Sequence, residues 1–161
     1  MEYRTTYASP LGTLTLASDG ESLTALWLEG QKYFGGTAAE WTQKAEVPVF
    51  AAAAAWLDAY FAGTDPGQDL SLSPQGTAFQ RRVWQQLLTI PYGTTVSYGE
   101  LAAALDCPSA RAVGGAVGRN PISLIIPCHR VVGANGRLTG YAGGVARKRW
   151  LLAHEGIKCT K

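Results

Sequence analysis

Residues 120–141 read NPISLIIPCHRVVGANGRLTGY, and the interpretation of the whole C-terminal half begins with this stretch. Cys128 lies between two apolar runs rich in β-branched residues, 124–126 and 131–132. Such runs predict a buried, extended segment rather than an exposed loop. His129 and Arg130 add polar side chains beside the thiol. The stretch therefore predicts a buried cysteine with basic neighbours.

Cys128 has two interpretations on the residues alone. The thiolate is the reactive form of cysteine, and nearby cations or dipoles favour it, so these basic neighbours are typical of a nucleophile. Most buried cysteines, however, are inert packing residues. The residues by themselves leave both interpretations open.

The composition bounds the class of protein. The chain has 161 residues, of which 47% are hydrophobic and 16% charged, so it can form one compact unit or two small lobes without disulfides. No apolar run approaches the length of a membrane span. The first residues, Met1–Arg4, are polar and mixed in charge, unlike a signal peptide. We therefore expect a cytoplasmic protein.

The cysteines and histidines limit the covalent and metal chemistry. Cys107, Cys128 and Cys159 are odd in number and form no Cys-x-x-Cys pair, so a disulfide framework is not expected. His129 and His154 are too few for a tetrahedral zinc site. We expect neither a metal nor a cofactor.

The net charge of +2 hides a strong asymmetry between the two halves. Residues 1–75 carry three basic and nine acidic side chains, whereas residues 76–161 carry eleven basic and three acidic ones. A basic half of this kind favours a polyanionic partner such as nucleic acid, and a merely solvated basic surface is the alternative.

The N-terminal half predicts a small sheet followed by a helix. Residues 2–29 alternate in strand fashion, with turns at Ser9–Gly12 and Asp19-Gly20, and Gly30–Glu46 is loop-like. Helical periodicity covers Val47–Gly63. The apolar stripe of this helix is predicted to be Phe50, Ala54, Leu57 and Phe61. We expect a structural lobe over residues 1–75, of which 64–75 have the composition of a linker.

The C-terminal half predicts mainly helices. A first helix starts at Thr77, and Ser97 with Glu100 form the capping box of a second. Ser109 caps a third helix, which runs to about Gly118, and a basic last helix covers Val145–Glu155. The second and third helices with their tight turn predict a helix-turn-helix. The chain is therefore expected to be α+β.

The third helix, ARAVGGAVG over residues 110–118, has almost no polar side chain that could read base edges in a major groove. Its small residues permit close approach of the backbone, which suits the narrow minor groove. Each glycine costs about 1 kcal/mol in a helix relative to alanine, so close contact is a reason to keep them. Tight packing against another helix is the alternative explanation.

Three segments resemble the alkyl-acceptor signature of the 6-O-alkylguanine-DNA alkyltransferases, also called methylated-DNA–protein-cysteine methyltransferases. They are Asn120-Pro121, Ile125–Gly133 and Gly140–Gly144, and the similarity covers about Thr77 to Gly156. The resemblance implies a ribonuclease H-like N-terminal lobe and a winged-helix-like DNA-binding and alkyl-acceptor domain over residues 76–161. It implies DNA repair by direct damage reversal: 6-O-alkylguanine, mainly methylated, is flipped out of duplex DNA through the minor groove. The alkyl group then passes irreversibly to Cys128 in a single turnover.

The resemblance also implies roles for individual residues. Glu155 orients His129, which takes the thiol proton of Cys128 through an ordered water, and Asn120 braces the surrounding turn. Arg111 replaces the extruded base, and Tyr98 crowds the target phosphate and donates a hydrogen bond to the purine. The remaining expected contacts with DNA or substrate are Ala112 and Gly115 on the third helix, with Val131, Tyr141 and Ala142 around the base. A monomer is expected, with cooperative binding along DNA left open.

Three departures from the family pattern affect these expectations. Some relatives carry a zinc ion in the N-terminal lobe, but residues 1–75 contain neither Cys nor His. The turn before Arg111 is one residue shorter than usual, which changes the reach of that side chain. Ala142 stands where relatives often have serine, so any contact there must come from the main chain.

Two other classes of protein are the rivals. A Cys-His hydrolase would need a second, remote histidine and an oxyanion hole, and His154 is the only other histidine. A non-enzymatic helix-turn-helix DNA binder would have no use for the cysteine, and a regulator would carry polar readers on its recognition helix.

Overall fold

The computed structural model describes residues 2–31 and 40–157. The chain divides into two compact units. The first comprises Met1–Gln75 with Pro121–Ser123, and the second comprises Gly76–Asn120 with Leu124–Lys161. Within the described ranges, no helix combines the length and the apolar character needed to cross a bilayer.

The first unit contains a four-stranded sheet in the order β3-β2-β1-β4, in which β1 to β3 form an antiparallel meander. This confirms the strands and both turns expected over residues 2–29. The short β4 runs parallel to β1 and lies inside the predicted loop, the rest of which falls largely in residues 32–39, outside the described residues. The strands are β1 Glu2–Ser9, β2 Gly12–Ser18, β3 Leu23–Leu28 and β4 Trp41–Gln43.

The cation of Arg4 explains why so short a strand as β4 docks. Its guanidinium lies 4.8 Å from the ring centroid of Trp27 on β3 and equally far from that of Trp41 on β4. Cation–π contacts of this kind contribute about 0.5–1 kcal/mol each at exposed sites. Because these cation–π contacts join residues that are far apart in the sequence, strand periodicity alone could not predict β4.

Helix α1, Pro48–Phe61, accompanies this sheet, as the sequence predicts. It begins with proline at its first turn, where no intrahelical N–H is needed. The predicted stripe is partly wrong: Phe50 and Leu57 are buried, but Ala54 and Phe61 are only half-buried. Ala53 and Tyr60, each one position earlier in the sequence, are buried instead. The apolar stripe is therefore rotated around the helix axis.

Two other segments lie alongside β3. Leu23 exchanges backbone hydrogen bonds with Ser71 and Ser73, with N···O distances of 2.9 and 2.8 Å. Leu26 does the same with Pro121 and Ser123, at 2.9 and 3.1 Å. The segment of linker-like composition is thus hydrogen-bonded at 71–73, and Pro121–Ser123 of the 120–141 stretch belong to the first unit.

The second unit is mainly helical and contains a two-stranded parallel sheet, β5 with β6. Its helices begin where the capping residues predict, since Ser97 Oγ accepts from the Glu100 amide and Ser109 Oγ from the Ala112 amide, both at 3.0 Å. The elements are α2 Ala78–Leu87, β5 Val96–Ser97, α3 Tyr98–Ala104, α4 Ala110–Gly118, β6 Val131–Val132 and α5 Val145–His154.

Buried Trp84 ties the helices of this unit together. Its ring is almost completely enclosed, and its Nε1–H donates to the Ala116 carbonyl of α4 at 2.8 Å. Helix α3 packs against α4 across a turn in which Asp106 takes the left-handed conformation, with φ of 52°. These contacts form the predicted helix-turn-helix. They hold α4 along its buried face, and part of its remaining surface is exposed.

Candidate functional site

The backbone around Cys128 is a turn followed by a short 3-10 helix, Cys128–Arg130. The prediction of an extended segment is therefore wrong here, although burial is confirmed. Leu124 adopts a left-handed conformation with φ of 73°, which reverses the chain, and the Cys128 amide donates to the Ile126 carbonyl at 2.7 Å. Leu124 is fully buried, and its burial offsets the backbone strain. Extended structure begins only at Val131.

A buried ionic network lies beside this turn. His129 Nε2 is 2.6 Å from Glu155 Oε2, and Arg130 Nε donates to Glu155 Oε1 at 2.8 Å. The amide of Gly93 also donates to Glu155 Oε1, at 3.0 Å, and Arg130 Nη1 donates to the Ile90 carbonyl at 2.8 Å. The side chains of His129 and Glu155 are completely enclosed. The structure thus brings together two of the predicted catalytic residues.

The charges within this network decide the protonation of His129. Burial opposes ionisation of Glu155, but its interactions with His129, with the Arg130 guanidinium and with the Gly93 amide outweigh that effect and lower its pKa to about 2. An ionised carboxylate can only accept, so the hydrogen between the two residues resides on Nε2. Burial lowers the pKa of His129, with Glu155 opposing, so the resting imidazole is neutral and Nδ1 is its basic nitrogen.

The thiol of Cys128 is protonated in the same resting state. Burial raises its pKa, and a hydrogen bond from Asn120 and the charge of Lys148 act in the opposite direction. Asn120 itself is buried, and its amide nitrogen donates to the Ile126 carbonyl at 2.8 Å. Asn120 therefore fixes the turn that carries the cysteine and also contacts the sulfur.

Tyr98 connects this centre to helix α4. Its ring lies beside Gly114, where an added Cβ would be 3.6 Å from two ring carbons. Its hydroxyl is 3.1 Å from Thr139 Oγ1. Burial raises the pKa of Tyr98; the Thr139 hydrogen bond lowers it, and the nearby Cys128 adds to the increase. Tyr98 is thus within electrostatic range of the sulfur.

The outer face of α4 is built from small residues and one arginine. Arg111, Ala112 and Gly115 are exposed, and an added Cβ at Gly115 would meet nothing within 4 Å. Arg111 is the second residue of the helix, directly after its Ser109 cap and Ala110. The three residues lie where a partner can reach them.

The remaining predicted substrate residues fall in two places. Val131 is buried in β6, where it pairs with Val96. Tyr141 and Ala142 are half-buried in a turn closed by a hydrogen bond from the Gly144 amide to the Tyr141 carbonyl at 2.9 Å. His154, the remote histidine that a Cys-His hydrolase would need, stacks on Trp150 with ring centroids 4.9 Å apart.

Three contributors to the site were not found from the sequence. Arg130 was noted only as a neighbour of the thiol, yet it carries the counter-charge of Glu155. Lys148 is completely buried, and its spacing to Leu151 and Leu152 places it on their face of α5, a signal the sequence does contain. Thr139 contacts both Tyr98 and Lys148, and no local pattern marks it.

Together these features define a protein with a buried cysteine, a proton-accepting His-Glu pair and an adjoining helix-turn-helix. Two family models match the chain: the 6-O-methylguanine DNA methyltransferase ribonuclease-like domain at residues 2–74 and the DNA-binding domain of the same family at 78–157. The chain belongs to the 6-O-methylguanine DNA methyltransferase family.

Similar proteins agree with this assignment over nearly the whole chain. The methylated-DNA–protein-cysteine methyltransferase of Mycobacterium tuberculosis is 51% identical over 156 residues, which are 96% of this chain and 92% of that protein. The protein of the same name from Haemophilus influenzae is 46% identical, over 96% and 87%. The crystal structure of Mycobacterium tuberculosis OGT in complex with DNA has a TM-score of 0.87 and 49% identity, covering 95% of this chain and 92% of that one.

Proposed function

We propose that this protein repairs 6-O-alkylguanine in duplex DNA by transferring the alkyl group to Cys128, once per molecule. The observation that carries the proposal is the buried Cys128 beside the His129–Glu155 pair, in a chain of this family. Curated relatives are named methylated-DNA–protein-cysteine methyltransferases, which supports a cysteine as the acceptor. Cys107, the other cysteine among the described residues, lies in the turn before α4 with no such partners.

The first chemical step is removal of the thiol proton. In the resting site both Cys128 and His129 are neutral, so the thiolate forms only when His129 accepts the proton at Nδ1, through a bridging water. Glu155 then faces an imidazolium at 2.6 Å and stabilises it. Lys148 contributes a second positive charge that favours the thiolate. Asn120 keeps the sulfur oriented by holding the turn at Ile126.

The second step is displacement at the alkyl carbon. A sulfur–carbon bond forms, the bond from that carbon to the guanine oxygen breaks, and its electron pair remains on the base. The base takes up one proton, which balances the proton released by the thiol, and leaves as guanine. Tyr98 donates a hydrogen bond to the purine as charge builds on it. The product is a thioether, which is not readily hydrolysed, so the protein is consumed.

Access to the lesion requires base flipping, because the substituent on the guanine oxygen lies inside the duplex. The exposed surface of α4 suits the minor groove: Ala112 and Gly115 present almost bare backbone, and Arg111 projects from the first turn. We assign to Arg111 the space vacated by the extruded base. Val131, Tyr141 and Ala142 hold the flipped base through main-chain groups. The solved DNA complex of the similar Mycobacterium tuberculosis protein supports DNA as the partner.

The proposal extends to the oligomeric state of the protein and its location in the cell. The protein acts as a monomer, because one cysteine, one base-holding loop and one helix-turn-helix complete the reaction. The substrate is DNA, and the proposed location of the activity is the cytoplasm.

The test uses duplex DNA that carries 6-O-methylguanine with a labelled methyl group. Cys128→Ser should take up no label, and the matched control Cys107→Ser should take up as much as the wild type. Label retained by Cys128→Ser, or lost only in Cys107→Ser, would overturn the assignment of the acceptor.

A further inference from the structure

Lys148 is a fully buried lysine, with none of its surface exposed, in the same unit as the acceptor cysteine. A buried ammonium is costly unless it is hydrogen-bonded, so its partners indicate what it is kept for. Lys148 Nζ donates to Thr139 Oγ1 at 3.3 Å and lies 3.5 Å from the Thr139 carbonyl oxygen. Both of these contacts are with Thr139, which lies in the loop that follows β6.

Thr139 is also the hydrogen-bond partner of Tyr98. The two hydroxyl oxygens are 3.1 Å apart, which completes a chain from the Lys148 ammonium through Thr139 to the Tyr98 phenol. The direction of this chain follows from chemistry. An ammonium can only donate, so the Thr139 oxygen accepts from Lys148 and its own hydrogen is directed to the Tyr98 oxygen. The phenolic hydrogen of Tyr98 therefore points away from Thr139.

This arrangement makes the phenol a better donor. A hydroxyl that accepts a hydrogen bond becomes polarised, and successive hydrogen bonds in a chain strengthen one another. Tyr98 and Lys148 both interact electrostatically with Cys128, so the chain lies within electrostatic range of the sulfur. A base whose alkyl group lies at that sulfur would accept a hydrogen bond from the Tyr98 phenol.

We propose that Thr139 is a positioning residue for alkyl transfer, whose hydroxyl, held by the buried Lys148, orients the Tyr98 O–H toward the departing guanine. The inference rests on the proposed function of Cys128. Thr139 forms no bond with the substrate, and the balance of atoms in the reaction is unchanged. Its effect is on the negative charge that builds on the base as the carbon–oxygen bond breaks, which a fixed donor stabilises.

The side chain of Thr139 also has a packing role, which must be separated from the role of its hydroxyl. Its methyl group lies over Gly133, where an added Cβ would be only 3.0 Å from Thr139 Cγ2. Two substitutions divide these roles. Thr139→Val keeps the branched shape and removes the hydroxyl, whereas Thr139→Ser keeps the hydroxyl and removes the methyl group.

The experiment measures the single-turnover rate constant for methyl transfer from a 6-O-methylguanine duplex, with the protein in excess. At saturating protein, this rate constant does not depend on how much of each variant is correctly folded. We expect Thr139→Val to slow transfer about 10-fold, the equivalent of one hydrogen bond, and Thr139→Ser to restore most of the rate. In a Tyr98→Phe background, Thr139→Val should have no further effect, because the hydroxyl acts through the phenol.

Three results would overturn the inference. They are a wild-type rate in Thr139→Val, a slower rate in Thr139→Ser than in Thr139→Val, and full additivity of Thr139→Val with Tyr98→Phe. Each of these can occur while the wild type still methylates Cys128, so the proposed function would stand. A wild-type protein that accepts no methyl group would overturn the proposed function and this inference with it.

Discussion

Replacing Glu155 with glutamine removes one negative charge from the centre of the buried network and preserves its shape. Glu155 accepts from His129, from Arg130 and from the Gly93 amide. In Glu155→Gln the Arg130 guanidinium remains buried without its counter-ion, and His129 loses the carboxylate that stabilises its protonated form. The substitution should therefore lower both stability and the rate of methyl transfer.

The size of the stability effect follows from the pKa of Glu155. Its value of about 2, against an ordinary 4.5, corresponds to about 3 kcal/mol of folding free energy at neutral pH. The side chain is fully enclosed, so solvent screening does not reduce this figure. Breaking a buried ion pair by removing one partner typically costs about 3–5 kcal/mol. We expect Glu155→Gln to reduce the free energy of unfolding by about 3 kcal/mol.

The pH dependence gives a second signature of the same charge. Because the folded-state pKa of Glu155 is lowered, its contribution to stability is fully present above 4.5 and is lost as the pH falls toward 2. Wild-type protein should lose this stability across that window. Glu155→Gln, which has no carboxyl to titrate, should be less stable above this window, should lack this part of the acid dependence, and should approach the stability of the wild type as the pH falls toward 2.

The assay is urea unfolding followed by circular dichroism, together with hydrogen exchange of the α5 amides, which reports on the unit that holds Glu155. Glu100→Gln is the matched control, because it makes the same chemical change in an exposed capping box that glutamine also satisfies. The control should shift stability by less than about 0.5 kcal/mol. Equal, small shifts in both variants would show that the buried carboxylate of Glu155 does not stabilise the fold.

Two further predictions concern the DNA-facing helix. Arg111→Ala should react with free 6-O-methylguanine like the wild type. With duplex DNA it should lose about 1–3 kcal/mol of transition-state stabilisation, measured from the ratio of the second-order rate constants on the two substrates. Equal losses on both substrates would exclude a role of Arg111 in base flipping. Gly115→Ala should stabilise α4 by up to about 1 kcal/mol, because its Cβ meets nothing within 4 Å, yet weaken duplex binding in a fluorescence-anisotropy titration. Unchanged DNA affinity in Gly115→Ala would show that the helix backbone does not approach the groove closely.

The sequence predicted the elements whose signals are local. The Ser97 and Ser109 caps, the hairpin turns of the first sheet and the helix α1 depend on residues a few positions apart, and all are present. The structure of residues 120–141 was harder to predict, because their apolar residues are equally consistent with a strand and with a buried turn. Leu124 in a left-handed conformation decides in favour of the turn, and only tertiary packing makes that conformation acceptable.

The site was predictable only in part, for a related reason. Cys128 and His129 are adjacent and stand out, whereas the partners that set their protonation come from remote segments: Gly93, Lys148 and Glu155. Family resemblance supplied Glu155 but not the ion pair with Arg130 that determines its charge. The sequence predicts that the basic neighbours His129 and Arg130 favour the thiolate. In the structure the groups that favour it are Asn120 and Lys148, and burial outweighs both in the resting site, so thiol activation depends on proton transfer to His129.

If Cys128 accepts the alkyl group permanently, the mass of the intact protein must record the transfer. The wild-type chain should be incubated with an excess of duplex DNA that carries 6-O-methylguanine, and the masses of the whole protein and of its digested peptides should then be measured. Every molecule should gain one methyl group, located on the peptide that contains Cys128, with no further increase on longer incubation. Repair of more lesions than there are protein molecules, or a methyl group on any other peptide, would show that Cys128 is not the permanent acceptor.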